Sequence, residues 1–337
     1  MTTRARRWAP LILSALLAVA LGLALTVGVR VWAESGSGSQ SGPGPVPPPA
    51  HWATAAVPFH PDSPFRTPVP AGAMIDPASA AVTSHLSGEG RVYASLVEFG
   101  IPVYTADEQT PRHEVTCLRT QWGPCPFSRG PTPIPDDARP HTGSDGAMVV
   151  VDERAQLSYE FWQVRRQGTG WITSFGAVNP LGGSGWGGAA TGSGASRLAG
   201  IVRLHEIERG VIDHALALQS DNACARVFRA PAIKTDGRSD RPDCVPEGSR
   251  LRLDPSLDLD LLDLPPAQRA VARAFQVYGG YVVDVGGAPL SISFELAPDA
   301  DGMYPGAVYR DAGLRWDYDG LGQIPWDRLQ LLAEEDR

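Results

Sequence analysis

The sequence predicts a mainly β protein, an antiparallel, jelly-roll-like β-sandwich with one or two short helices. Three observations predict it. Apolar stretches are short, many alternate or are rich in Val, Ile, Tyr, Phe and Trp, and turn residues bound them. Glycine (37) and proline (31) are spread along the 337 residues and break up any long helical pattern. Helix signals occur in only two places, and strands of this kind are buried best between two packed sheets.

In chain order, strands are expected over 92–106 (VYASLVEFGIPVYTA), 146–153 (GAMVVVDE), 157–164 (LSYEFWQV), 170–178 (GWITSFGAV), 197–207 (RLAGIVRLHEI), 211–219 (VIDHALALQ), 249–254 (SRLRLD), 280–286 (GYVVDVG) and 289–296 (PLSISFEL). The last two read as a hairpin, with Gly286-Gly287 starting a short loop. The first helix is expected over 76–88, with Asp76 as N-cap and Pro77 at the first helical position. The second, over 265–280, places Ala270, Val271, Ala274, Phe275 and Tyr278 on one stripe and stops at Gly279.

The ends set the compartment. Arg4, Arg6 and Arg7 precede an apolar run from Trp8 to Val29, and Val31-Trp32-Ala33 offers small or modest residues to a signal peptidase. Residues 1–33 read as a signal peptide, or as a retained signal anchor, since the run reaches the roughly 20 residues that span a bilayer. The flanking arginines hold the N-terminus inside and place the remainder outside the cytoplasm, secreted or anchored. Residues 34–51 are a Gly/Ser/Pro-rich linker that cannot build a core, and residues 52–334 follow as a single extracellular β-rich domain. Contact with a membrane is expected only through an uncleaved N-terminal segment. The net charge of −8 gives no nucleic-acid footprint, which needs a basic patch.

Four cysteines in an exported chain read as two disulfides. Closeness in sequence favours Cys117–Cys125 and Cys224–Cys244, and neither pair has zinc-ligand spacing.

The stretches SPFRTPVP, PVYTADEQTPRHEVTC, GSDGAMVVVDE, YEFWQ, GSGWGG, GASRLAGIVRLHEI, APAIKTDG and PEGSRLRLDPSLD resemble a family of exported actinobacterial proteins of unassigned function. The resemblance runs from about residue 58 to 332. It implies an extracellular setting and one continuous domain, and it implies no activity.

Four constellations offer chemistry. The run 204–219 gathers Glu206, His214 and nearby Arg203; on a strand His214 shares a face with Ile212, Leu216 and Leu218, as a core histidine or as a base projecting into a cleft. Lys234 is the one lysine beside 28 arginines, and it precedes a Thr235-Asp236-Gly237 turn that echoes Ser144-Asp145-Gly146. A compact ammonium suits places where a guanidinium fork does not fit. Trp186 stands alone in a glycine-rich loop, as a sugar-stacking platform or as a lid folded over the core. Asp254, Asp258, Asp260, Asp263 and the DADG stretch at 299–302 leave calcium open, without an EF-hand pattern. No nucleotide loop, serine-hydrolase elbow or H-E-x-x-H motif is present.

These features point to a protein that acts on or binds a polysaccharide or cell-wall glycan, with a cleft built from residues 186–236 and 278–284. A glycoside hydrolase needs two carboxylates, for which Glu206 and Asp284 are the candidates. A polysaccharide lyase needs a base, His214 or Tyr281, and a cation, Lys234 or Arg203. Arg203, His214 and Tyr281 also follow the strand order of jelly-roll alginate lyases, without their spacing. Trp186, Arg203 and Asp236 are the expected substrate contacts, and no cofactor beyond calcium is expected. The alternative is a non-catalytic cell-surface carbohydrate-binding or adhesion module.

Overall fold

A computed structural model describes residues 53–334 apart from Ala189 and the side chain of Glu89. The signal segment expected at 1–33 and the linker expected at 34–51 lie outside the described residues. The chain is mainly β, with several sheets and four α-helices among the described residues: α1 (Ser79–Leu86), α2 (Leu204–Arg209), α3 (Pro266–Val277) and α4 (Ala307–Asp311).

The largest sheet has six strands, in the order Tyr93–Ser95, Ser291–Ser293, Leu216–Ser220, Gly280–Val285, Arg250–Leu253 and Leu329–Leu331. A four-stranded sheet runs Phe175–Pro180, Leu157–Trp162, Met148–Asp152, Val103–Ala106. The expected antiparallel pairing holds for 157–162 against both 148–152 and 175–180, and for 250–253 against its two neighbours. It gives way to parallel pairing of 216–220 with 280–285, of 93–95 with 291–293 and of 103–106 with 148–152. The sheets are therefore mixed, and the two strands expected as a hairpin, 280–285 and 291–293, flank 216–220 instead of pairing with each other. A parallel pair needs a crossover of a dozen or more residues, and the long excursions 107–147 and 221–279 supply it. The first carries Trp122, His141 and Asp145, and the second Lys234, Asp236 and Glu247.

Strand alternation sorts the side chains into layers. Leu216, Leu218, Val282 and Ile292 face a core shared with α3, where Val271, Ala274 and Phe275 pack beside Trp326. Ala217, Tyr281 and Val283 point the other way and meet Val149 and Val151 of the four-stranded sheet in a second core with Phe59 and Phe65. Met148, Val150 and Phe161 form a third core with Trp171, Phe175 and Phe127. The two sheets thus enclose one core between them and cover a further one on each outer side, as a β-sandwich does.

Both expected helices are present with shifted bounds. In α3 Pro266 occupies the first turn, Ala270, Val271, Ala274 and Phe275 of the expected stripe are buried while Tyr278 is half-buried at the C-cap, and Gly279 follows at φ +67°. A Cβ there would lie 2.4 Å from the Leu251 carbonyl oxygen, so the stop requires glycine. Asp76 stands ahead of α1, where its Oδ1 accepts from the Ala78 N–H (2.7 Å) and its Oδ2 pairs with Arg229 (2.8 Å).

The expected strand at 197–207 is absent: its end is helical, as α2. Glu206 reaches back to the Arg203 N–H (2.9 Å), and left-handed Gly210 closes the helix. The next strand begins only at Leu216, so His214 lies in the bend before it.

Cys117–Cys125 and Cys224–Cys244 are disulfide-bonded, as expected. Two disulfides fit an oxidising, extracytoplasmic setting. Among the described residues no helix is long and apolar enough to cross a membrane.

Candidate functional site

Two cavities of about 530 and 990 Å³ adjoin, sharing Asp145, Thr191, Arg197, Asp284 and Val285 in their walls, and make up a groove in two halves with those residues at the junction. Asp284 comes from the strand Gly280–Val285 of the large sheet. Its partner strand is irregular between Leu218 and Gln219, and Gln219 pairs with Asp284; such bulges re-aim side chains beside functional sites.

Three carboxyl groups, of Asp236, Glu247 and Asp284, bring oxygens within 4.8 Å of one another. Asp236 is exposed, Asp284 is mostly covered and Glu247 has no accessible surface. Burial pushes Asp284 up to about 7; the Arg197 guanidinium opposes this, and the Asp236 and Asp145 carboxylates add to it. Burial, reinforced by Asp236 and Asp284, pushes Glu247 up to about 9. Glu247 is therefore a neutral acid at pH 7, and Asp284 is poised to hold or release its proton there.

Arg197 lies between two acids, 3.7 Å from Asp284 and 3.9 Å from Asp145, and its Nη2 also donates to the Ala190 carbonyl (2.7 Å). Buried Glu160 fixes that loop: it accepts from the Arg197 backbone N–H (2.6 Å) and from the Ser158 (2.7 Å) and Ser196 hydroxyls. Beside the junction His141 is buried against Phe99. Burial, helped by Arg197, lowers His141 to about 4, so its imidazole is neutral at pH 7.

The lone lysine has a specific place. Lys234 lines the larger cavity, and its ammonium donates to the carbonyls of Thr191 (2.5 Å) and Gly192 (2.8 Å). That fixes a backbone turn whose Gly192 N–H donates to Asp284 Oδ1 (3.1 Å). A Cβ on Gly192 would sit 2.1 Å from Asp236 Oδ1 and 2.9 Å from Asp284 Oδ1, so only glycine lets the backbone approach both carboxylates.

Of the residues singled out in the sequence, the structure brings Asp284, Asp236 and Lys234 together. Glu206, His214 and Arg203 are elsewhere, in a buried network that lines none of the described cavities. His214 places Nε2 3.1 Å from the Glu206 carboxylate and Nδ1 2.9 Å from the Ala215 carbonyl. Both ring nitrogens face oxygens, an arrangement that favours the protonated ring. Burial alone would lower His214, but Glu206 raises it above the ordinary histidine value. Burial would raise Glu206, and His214 holds it lower. Arg203 is bonded to Glu295 (2.8 Å) and to the Ala55 carbonyl. This network joins α2 to the chain around residues 55 and 295. It is a structural tie.

Trp186 is not an open platform. Its ring stacks on Phe65 (5.2 Å) and meets Tyr281 edge-on (5.7 Å), packed against the core between the sheets. Tyr281 is held in the same cluster under the Arg250 guanidinium, and it borders a separate cavity of about 580 Å³. Of the acids expected as calcium candidates, Asp254 pairs with Arg328, Asp260 pairs with Arg269, and Asp258 caps a short 3₁₀ turn.

Four members of the site were not singled out in the sequence: Asp145, Arg197, Glu247 and an aromatic wall. In that wall Trp122, more than half exposed, stacks on Trp162 (5.7 Å, 23°) and meets Phe175 edge-on (5.7 Å), and all three border the larger cavity. The echo of SDG in TDG was the available signal for Asp145, because both turns place their aspartate at the groove. Comparison of the chain with family models, curated proteins and solved structures gives no significant match.

Proposed function

We propose that this chain is an exported enzyme that cleaves glycosidic bonds in a polysaccharide, with Asp284 as general acid and Asp236 as the partner carboxylate. The observation that carries the reading is Asp284 itself, a carboxyl pushed up to about 7 at the middle of a groove. An acid tuned to neutral pH is what protonation of a glycosidic oxygen requires.

In this reading Asp284 gives its proton to the leaving oxygen as the C–O bond breaks, and the departing sugar leaves as a neutral hydroxyl. Asp236 faces the positive charge that develops at the anomeric carbon and bonds to that carbon. A water molecule then displaces Asp236 and returns its own proton to Asp284. Carboxyl oxygens within 4.8 Å suit the roughly 5–5.5 Å separation of acid and nucleophile in retaining enzymes better than the roughly 6.5–9.5 Å needed to seat a water between them. Glu247, neutral and fully buried beside both, adds no charge to the pair.

A lyase acting on uronates fits less well, since it needs a free cation at the point of cutting. Lys234 is committed to two carbonyls and Arg197 to Ala190 and two acids, and Arg238 lines the larger cavity away from the junction. A purely binding module is disfavoured by the convergence of polar groups at the junction.

The test is a polysaccharide panel with purified residues 52–334, reading new reducing ends and absorbance at 235 nm. Asp284→Asn is expected to lose about 10²–10⁴-fold in turnover while keeping substrate affinity. In the parent, kcat/KM is expected to fall as pH rises through about 7, because Asp284 must be protonated. Reducing ends formed at full rate by the asparagine variant would refute the assignment.

A further inference from the structure

We propose that the groove takes an internal stretch of an uncharged glycan, with Trp122 as its sugar-stacking subsite, so that the chain is cut within its length rather than from an end. This rests on the reading of Asp284 as the cleaving acid and deepens it.

Three observations carry it. Asp284 has a cavity on each side of it: one is walled by Trp122, Trp162, Phe175 and Lys234, the other by Tyr93, Phe99, His141 and Tyr318. A site for chain ends would close on one side of the acid, whereas this one offers walls to sugars before and after the bond. Next, Trp122 presents a flat, largely exposed indole that is pre-oriented by stacking on Trp162 and by the Arg119 guanidinium 5.7 Å from its centre. A fixed aromatic face binds the apolar face of a sugar ring at little entropic cost. The far half meanwhile carries hydroxyls and an amide, Ser291, Ser293 and Gln219, already hydrogen-bonded in a row (2.7 and 3.2 Å) and suited to sugar hydroxyls. Finally, the carboxyl groups of Asp145, Asp236 and Asp284 crowd the junction, and the two cations beside them are bonded to protein oxygens. A polyanion would meet carboxylates there, and the further cation of the larger cavity, Arg238, lies outside the junction.

The experiment uses glycol chitin and hydroxyethyl cellulose as uncharged probes and alginate as the charged one, with the parent domain, Trp122→Ala, Trp122→Phe and Asp284→Asn. The parent is expected to lower the viscosity of an uncharged probe well before reducing ends accumulate. Trp122→Ala is expected to weaken binding by about 10–100-fold, and Trp122→Phe to recover most of that, which separates a lost stacking face from a misfolded loop. Early release of single sugars at constant viscosity overturns internal cutting and leaves the role of Asp284 intact. Unchanged affinity in Trp122→Ala overturns the subsite, and cleavage of alginate alone overturns the uncharged substrate. Uncharged glycan bound through Trp122 but never cut by the parent overturns the Asp284 reading while the subsite stands.

Discussion

Glu247 is the residue at which site and stability conflict. Its carboxyl is fully buried and pushed from about 4.5 to about 9. Between those pH values the unfolded chain loses this proton and the folded chain keeps it, so stability falls as pH rises, by about 1.4 kcal/mol per unit. Glu247→Gln keeps the shape and removes the titration. It is expected to raise stability at pH 7 by up to about 3 kcal/mol and to flatten the pH slope in urea melts between pH 5 and 8. The same variant is expected to leave the alkaline limb of activity in place, since burial and the Asp236 and Asp145 carboxylates are what raise Asp284. Lys234 makes the complementary case. A guanidinium is wider, and its planar fork does not match two successive carbonyls reached by one ammonium. Lys234→Arg is expected to displace Gly192 and to cost about tenfold in kcat with a nearly unchanged melting temperature, measured by steady-state kinetics beside thermal unfolding. Equal kinetics in the arginine variant would make the lysine incidental.

At the scale of elements, the glycine-rich loop 182–196 does two jobs that its composition alone does not separate. Gly192 brings backbone against two carboxylates, and Trp186 a few residues earlier locks the loop to the core through Phe65 and Tyr281. Trp186→Ala is therefore expected to cost about 3–5 kcal/mol in denaturant unfolding, the scale of a large aromatic removed from a core, and to leave glycan affinity of the folded protein unchanged. Loss of affinity without loss of stability would restore the platform reading. The segment 197–219 shows where element type is ambiguous in sequence. Its apolar residues suit either period, and the end of the first half became helical because Glu206 caps α2 and Gly210 closes it. Once the next strand starts at Leu216, His214 falls in a bend and turns to Glu206.

Across the whole molecule the two disulfides close two separate loops that wall the larger cavity. Cys117–Cys125 closes the loop that carries Trp122, and Cys224–Cys244 closes the one that carries Lys234 and Asp236. Chain-entropy arguments give each closure about 3 kcal/mol. Replacing Cys224 and Cys244 by serine is expected to lower the unfolding free energy by about that amount and to reduce kcat. The Cys117/Cys125 double-serine variant is expected to act mainly on KM. Paired thermal melts and kinetics read the split, and matching kinetic effects from both variants would remove the assignment of separate walls.

Much of this protein was written locally. Strand-rich patterning, Pro266 and Gly279 around α3, and the pairing of nearby cysteines all depend on residues close in sequence, where turn chemistry and periodicity act directly. Asp284, Asp236 and Lys234 could be singled out by type and context. What they do could not, because it depends on burial and on neighbours from distant segments. Asp145, Gly192, Arg197, Asp236, Glu247 and Asp284 come from different parts of the chain, and mixed sheets with long crossovers bring them to one junction. Only there does desolvation raise two of the carboxyls, one of them to near neutrality. The same packing turned Trp186 and Glu206 inward to structural work and left Trp122 facing the groove. Sequence determined which groups were present, and tertiary burial decided which of them carry protons.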